Sequence, residues 1–216
     1  MRTVVIAGGP DISVEFLRNE IVAGDYVICA DSGVDYAMAA EIIPSRIVGD
    51  LDSISDEGKR FIDSRRIPLE VFPVEKDMTD AELALRSIPV EDEILLVCSL
   101  TGRIDHVTAN INLAMNLHSE GYNLTVTDGV SHIIPMCGEE EIEINGINSN
   151  QITVSLIPYD VKVSGVTTEG LYYSLNDADV LWGNTFPVSN KLIEGGTSFK
   201  ISVKAGKLGV FVVPTE

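Results

Sequence analysis

The chain has 216 residues, 45% of them hydrophobic, enough for one large domain or two small ones and too apolar for a disordered chain. Its formal net charge of −18 argues against nonspecific binding to nucleic acid or to an anionic membrane, since both need a cationic surface. All eight arginines fall at or before Arg103, so planar phosphate clamps come from the first half alone.

As far as residue 127, short apolar β-branched runs alternate with segments of helical period, the signature of a mostly parallel sheet flanked by helices. Strands are predicted over residues 3–7, 26–30, 46–48, 69–72, 94–99 and 123–127, with 46–48 and 69–72 read as buried. Helices are predicted over 13–20, 34–40, 55–66, 79–87 and 106–119, and Thr79 with Glu82 fits a capping box. After Thr127 the texture becomes short alternating segments separated by Gly, Asn, Pro and Asp: 141–144, 151–157, 161–166, 171–175, 198–203 and 208–213. This reads as an all-β, antiparallel β-sandwich or barrel. Residues 131–134 belong to either half, and the domains are placed at 1–135 (α/β) and 136–216 (β-sandwich).

Cys29, Cys98 and Cys137 are odd in number and read as reduced core residues rather than disulfide partners or metal ligands, with Cys29 and Cys98 inside apolar strand-like runs. There is no run of 18 apolar residues, and the N-terminus is too short and strand-like for a signal peptide, which predicts a cytoplasmic protein without a membrane partner. Trp182, the single tryptophan, is read as a core or interface residue.

Four aspartates at strand-to-helix junctions carry the chemistry: Asp50 and Asp52 after the third strand, Asp77 and Asp80 after the fourth. In an open parallel sheet, ligands bind outside the carboxyl ends of the strands, so these carboxylates gather at one edge. Hard oxygen ligands there suit Mg²⁺, which takes one or two carboxylates and completes its shell with water and substrate phosphate. Alternate residues of an extended segment point the same way, so Asp50 and Asp52 are expected to face one ion. The plainer readings are that Asp52 or Ser53 caps the next helix, and that a first-turn aspartate is rewarded by the helix dipole by about 0.3–1 kcal/mol. Thr101-Gly102-Arg103-Ile104-Asp105-His106 follows the strongest strand and opens a helix, a plausible phosphate site of backbone N–H groups beside an arginine fork. There Asp105 as a cap and His106 as a local packing residue are the alternatives, and Asp31-Ser32-Gly33 repeats the polar strand-end turn.

Taken in order, Ala30-Asp31-Ser32-Gly33, Gly49-Asp50-Leu51-Asp52-Ser53, Lys76-Asp77-Met78-Thr79-Asp80, Gly102-Arg103-Ile104-Asp105-His106 with Asn110, Gly170-Leu171-Tyr172-Tyr173-Ser174-Leu175 and Ser189-Asn190 resemble thiamine pyrophosphokinase, also called thiamine diphosphokinase, over nearly the whole chain. The resemblance implies an α/β domain for Mg-ATP and a β-sandwich helping to bind thiamine, in a homodimer with sites between subunits. It implies transfer of a diphosphate group from ATP to the thiamine hydroxyl, releasing AMP. By motif, it places Asp50, Asp52 and Asp80 at the metal and, with Arg103, in catalysis. It assigns Asp31, Ser32, Gly33, Asp77, Thr79, Thr101, Gly102, Asp105 and His106 to the nucleotide. Lys76, Tyr173, Ser189 and Asn190 fall to thiamine, with Tyr173 stacking on it and phosphate remaining open as the partner of Lys76. Ser32 and Thr101 stand where the family often has glycine. Two rival readings are a haloacid-dehalogenase-type phosphatase with Asp50 as nucleophile, and a noncatalytic nucleotide or thiamine sensor.

Overall fold

Burial of the β-branched runs builds a parallel sheet at the start of the computed structural model, which describes residues 1–146 and 152–215. Contacts divide the chain into two units, Met1–Leu113 with Gly121–Val130, and Ala114–Glu120 with Ser131–Glu216.

In the first unit, strands β1 (Arg2–Ala7), β2 (Tyr26–Ala30), β3 (Arg46–Gly49), β4 (Leu69–Val71), β5 (Glu93–Val97) and β6 (Asn123–Thr127) pair in parallel in the order β4-β3-β2-β1-β5-β6. The chain first steps outward from β1 and then returns to its other side at β5. That reversal is a topological switch point, where neighbouring crossovers leave opposite faces and open a crevice at the strand ends. The apolar runs of β1, β2 and β3 are buried, and Val4, Ile6, Val27, Cys29 and Ile47 form a core with Leu17, Val34, Ala37 and Ile62 from the helices. Contrary to the buried reading of residues 69–72, β4 is an exposed edge strand, with Leu69 45% and Val71 61% accessible.

Helices α1 (Val14–Glu20), α2 (Gly33–Ala39), α3 (Asp56–Arg65), α4 (Asp80–Arg86) and α5 (Ile104–Ser119) cover this sheet or leave it. Side-chain oxygens cap three of them, where free N–H groups otherwise remain: Ser13 accepts from Phe16 N at 3.1 Å, Ser55 from Gly58 N at 2.9 Å and Thr79 from Glu82 N at 3.2 Å. Half of the predicted capping box is therefore present, while the Glu82 carboxylate accepts from Arg86 Nε at 2.8 Å. Asp105 lies in the first turn of α5 rather than at its cap. Ser55 also donates to Asp35 on α2 at 2.5 Å. Replacing it, Ser55→Ala, is expected to cost about 1–2 kcal/mol in chemical denaturation, and an unchanged midpoint would deny the cap.

Apart from Ala114–Glu120, which carries the end of α5, the second unit is built of β-strands. Strands β7 (His132–Cys137), β8 (Glu140–Asn145), β9 (Ile152–Pro158), β10 (Lys162–Glu169), β11 (Ala178–Leu181), β12 (Ser198–Val203) and β13 (Lys207–Pro214) form two antiparallel sheets, β7-β13-β9 and β11-β10-β12-β8. Alternate residues from both, including Met136, Val154, Leu156, Val166, Phe199, Ile201 and Val210, bury a shared core, the arrangement of a β-sandwich. The segment left open at 131–134 thus begins a strand paired with β13. Gln151, first in the strand predicted over 151–157, lies outside the described residues. The strand predicted over 171–175 is absent: Leu171 makes an isolated bridge to Leu192 and the chain then turns, while residues 178–181 form a strand the sequence reading missed. Trp182 is 74% exposed, which removes its core reading.

Candidate active site

Three loops at the carboxyl ends of β1, β2 and β5 border a cavity of about 450 Å³ in the first unit. Its wall includes Gly8, Gly9 and Pro10 after β1, Asp31 and Ser32 after β2, and Ser99, Thr101 and Arg103 after β5; Ser53, Thr79, Asp80, Asp105, His106 and Asn110 also line it. The strand order explains the location, since β2, β1 and β5 are neighbours flanking the switch point. Gly33 is buried behind this wall, where a Cβ would overlap the Ile6 carbonyl oxygen. Gly102 sits between two lining residues, and Asp77 is exposed outside α4 and apart from the lining.

Beside the cavity lies an acidic cluster. Asp31, Asp50 and Asp52 each present a carboxylate oxygen, all within 4.8 Å of one another. The extended geometry expected of residues 50–52 is not what brings them together. Leu51 adopts φ 67, a left-handed conformation, and Asp50 Oδ1 accepts the Asp52 amide at 3.2 Å, closing a tight polar turn. Asp31 is likewise left-handed at φ 46, and Ser53 donates to its Oδ2. Apolar residues rarely hold a left-handed backbone, which costs of order 1–3 kcal/mol unless the surroundings impose it. Asp80 joins through Gly49, whose missing side chain admits it: a Cβ there would lie 3.1 Å from Asp80 Oδ1 and 3.2 Å from Asp31 Cβ.

Lys76 bridges the two acidic pairs, its Nζ 3.1 Å from Asp50 Oδ2 and 3.2 Å from Asp80 Oδ1. The Asp52 amide and then the Lys76 ammonium hold the Asp50 carboxyl below its usual range, while the Asp50 charge pushes Asp52 up. Burial pulls Lys76 down, but hydrogen bonds and charge from Asp50 and Asp80 outweigh it and leave it above its usual value. Among the described residues, none donates a hydrogen bond to the buried Asp31 Oδ1. An orphaned acceptor of this kind costs about 1–3 kcal/mol, which a bound cation would recover. The donor set of hard carboxylate oxygens fits Mg²⁺. At the cavity mouth Arg103 donates to Asp105 at 2.7 Å, and that bond draws the Asp105 carboxyl down to about 2.

In the second unit, Tyr173, Ser189 and Asn190 gather around one turn. Asn190 is 5% exposed; its Oδ1 accepts from Tyr173 N at 3.0 Å and Lys191 N at 2.9 Å, and its Nδ2 donates to Tyr173 O at 2.8 Å. The amide therefore holds the tyrosine turn. The Tyr172 and Tyr173 rings meet edge to face at 4.9 Å between centroids, and both are exposed, with Lys191 Nζ 4.7 Å over Tyr172. Ser189, at φ 61, donates its N–H to Ser155 Oγ at 2.9 Å. Asn190→Ala is expected to lower stability by about 1–3 kcal/mol by leaving backbone groups unpaired, measured by thermal or denaturant unfolding; wild-type stability would refute the clamp.

The sequence profile of the thiamin pyrophosphokinase catalytic domain matches residues 17–126, and that of the thiamin pyrophosphokinase vitamin B1 binding domain matches residues 133–208. The thiamine pyrophosphokinase of Bacillus subtilis (strain 168) is 31% identical over 207 residues, 94% of this chain and 95% of its own. The chain belongs to the thiamine pyrophosphokinase family. A crystal structure of thiamine pyrophosphokinase from Bacillus subtilis superposes with a TM-score of 0.84 at 28% identity, covering 99% of each chain. That from Geobacillus thermodenitrificans gives 0.84 at 25% identity, covering 100% of this chain and 98% of its own.

As an enzyme of the thiamine pyrophosphokinase family, the chain is a transferase, and the phosphatase and noncatalytic readings fall away. The cavity also contains residues that sequence reasoning did not single out: Gly8, Gly9 and Pro10, and Ser99. A glycine pair directly after the first strand was the available signal, since backbone there can approach a ligand closely. Ser99 carried none, being an ordinary strand-end residue until the loops around it are in place.

Proposed function

We propose that this thiamine pyrophosphokinase family member transfers a diphosphate group from Mg-ATP to the hydroxyl of thiamine and releases AMP. The observation that supports it most is the sharing of Asp31, Ser53 and Asp80 between the cavity and the acidic cluster or its immediate partners, so that a nucleotide in the cavity would direct its phosphates at the carboxylates.

Asp50, Asp52 and Asp80 would hold Mg²⁺, with the orphaned Asp31 oxygen available beside them. Bound there, Mg²⁺ would neutralise charge on the transferring phosphates. The nucleotide falls to the turns at Asp31-Ser32-Gly33 and Thr101-Gly102, with Thr79, Asp105 and His106 on the cavity wall beside it and Asp77 left out of that role by its position. Arg103 pairs with Asp105 across exposed surface, 71% and 63% accessible, and such pairs are weak, so its fork can exchange to phosphate at little cost. A cluster carboxylate would accept the hydroxyl proton during in-line attack. Tyr173 would stack on the cationic thiazolium, held in place by Asn190 with Ser189 alongside. We assign the assembly as a homodimer with sites between subunits, and the compartment as cytoplasm, where its three free cysteines stay reduced. Among the described residues, no helix is long and apolar enough to cross a membrane.

Incubation with ATP, Mg²⁺ and thiamine is expected to yield one AMP and one thiamine diphosphate per ATP consumed. ADP with thiamine monophosphate as first products would overturn the reaction type. Tyr173→Ala is expected to raise the thiamine KM by about fivefold or more, roughly 1 kcal/mol of cation–π stacking, with the ATP KM little changed. An unchanged thiamine KM in the folded variant rejects stacking. A mixed dimer of Tyr173→Ala and Asp52→Asn chains should regain one intact site, and a heterodimer no more active than the weaker parent argues against shared sites.

A further inference from the structure

Lys76 stands in an unusual place for a lysine. It precedes α4 on the segment after β4, its side chain is 14% exposed, and its ammonium lies between Asp50 Oδ2 at 3.1 Å and Asp80 Oδ1 at 3.2 Å, with the Pro73 carbonyl at 3.2 Å. The two carboxylates are themselves 11% and 21% exposed, so this is a sheltered bridge rather than a solvated surface pair. It ties together a cluster in which Asp31 and Asp52 also crowd Asp50.

We propose that Lys76 is a built-in counter-cation for the acidic cluster, which a divalent metal displaces on binding. The inference rests on the reading of the cluster as a Mg²⁺ site. The ammonium occupies an oxygen of Asp50, a carboxylate the metal needs, and one charge compensates several carboxylates incompletely, since Asp31 and Asp52 also bring oxygens within 4.8 Å of Asp50. A divalent ion supplies twice the charge and demands oxygen ligands at short range. Ammonium and metal repel each other and compete for the same lone pairs, so the metal's arrival expels Nζ. The flexible four-carbon stem lets the freed ammonium swing out, where it becomes a point charge available to the entering phosphates. Lys76 thus protects the empty cluster from self-repulsion and joins the substrate-binding charges when the metal is in place.

Competition makes a prediction opposite in sign to that of a simple structural bridge. Calorimetric titration of the full chain with Mg²⁺, without nucleotide, is expected to show Lys76→Met binding at least about fivefold tighter than the wild type, because a competing cation is gone. Lys76→Arg, which keeps the charge and adds a carboxylate-matching fork, is expected to bind equally or more weakly. Lys59→Met, which removes an exposed charge from α3, should stay within about twofold of the wild type. An unchanged or weakened Mg²⁺ affinity in Lys76→Met overturns the counter-cation role while leaving the metal site standing. A wild-type chain that takes up no Mg²⁺ instead fails the metal reading, and this inference with it. Should Lys76→Met not fold, the wild type still decides the matter. Its Lys76 ammonium proton resonance, assigned by its disappearance in Lys76→Arg, is expected to broaden into solvent exchange as Mg²⁺ is added, and persistence of the signal unchanged refutes displacement.

Discussion

Asp52→Asn and Asp80→Asn are each expected to lower turnover by about 100-fold or more without unfolding the chain, since a neutral amide replaces a carboxylate that Mg²⁺ coordinates far more strongly. The two positions test different parts of the geometry. Asp52 belongs to the triad whose oxygens converge within 4.8 Å, whereas Asp80 faces that triad across Gly49 and shares Lys76 with Asp50. Both sit at loop or helix-start positions outside the hydrophobic core, so circular dichroism and melting should remain close to wild type. Partial recovery at high Mg²⁺ is expected if the loss is one of metal affinity. Near-normal activity of both variants at limiting Mg²⁺ would remove the cluster from catalysis.

Gly33→Ala is expected to be the most damaging single-methyl change in the first unit. Helix α2 starts here against β1, and an added Cβ would overlap the Ile6 carbonyl oxygen and stand 2.7 Å from its carbon. These are backbone atoms of a buried central strand, so relief requires the helix to move away from the sheet. Overpacking of this kind costs about 3 kcal/mol or more, which corresponds to a fall in Tm of roughly 6–12 °C for a chain of this size. Because Ser32 immediately precedes α2 and lines the cavity, the ATP KM should rise as well. A melting temperature equal to that of the wild type would mean that α2 and β1 separate freely, contrary to their packing.

Local pattern determined a great deal about this protein. The β-branched runs of β1, β2, β3, β5 and β6 and the capped starts of α1, α3 and α4 are encoded in adjacent residues, through alternation, hydrophobic period and side chains that reach their own backbone. The ordered motifs likewise placed the chain in its family, as the matched catalytic and vitamin B1 binding profiles bear out. Errors arose where local information is degenerate. An apolar run such as 69–72 reads the same in a central or an edge strand, and its exposure follows from β4 ending the sheet order. The tyrosine segment at 171–175 alternates like a strand, yet the Asn190 amide from a distant part of the chain satisfies its backbone and fixes a turn. Leu51 is the sharpest case. Extended geometry suffices on paper to align Asp50 with Asp52, whereas the folded loop uses a left-handed leucine, partly buried against the core, that no propensity favours.

What only the tertiary structure decided is convergence. Asp31, Asp50 and Asp52 lie on loops following β2 and β3, and the cavity is walled by loops following β1, β2 and β5, which are separated by up to about 90 residues of chain. Strand order brings those loops together, and strand order is set by which helices can cover which apolar face, a condition on the whole chain rather than on any window of it. The same nonlocality hid Gly8 and Gly9, which become cavity wall when β5 pairs beside β1. It also placed Lys76 between Asp50 and Asp80, because a lysine's partner is whatever carboxylate the fold carries to it.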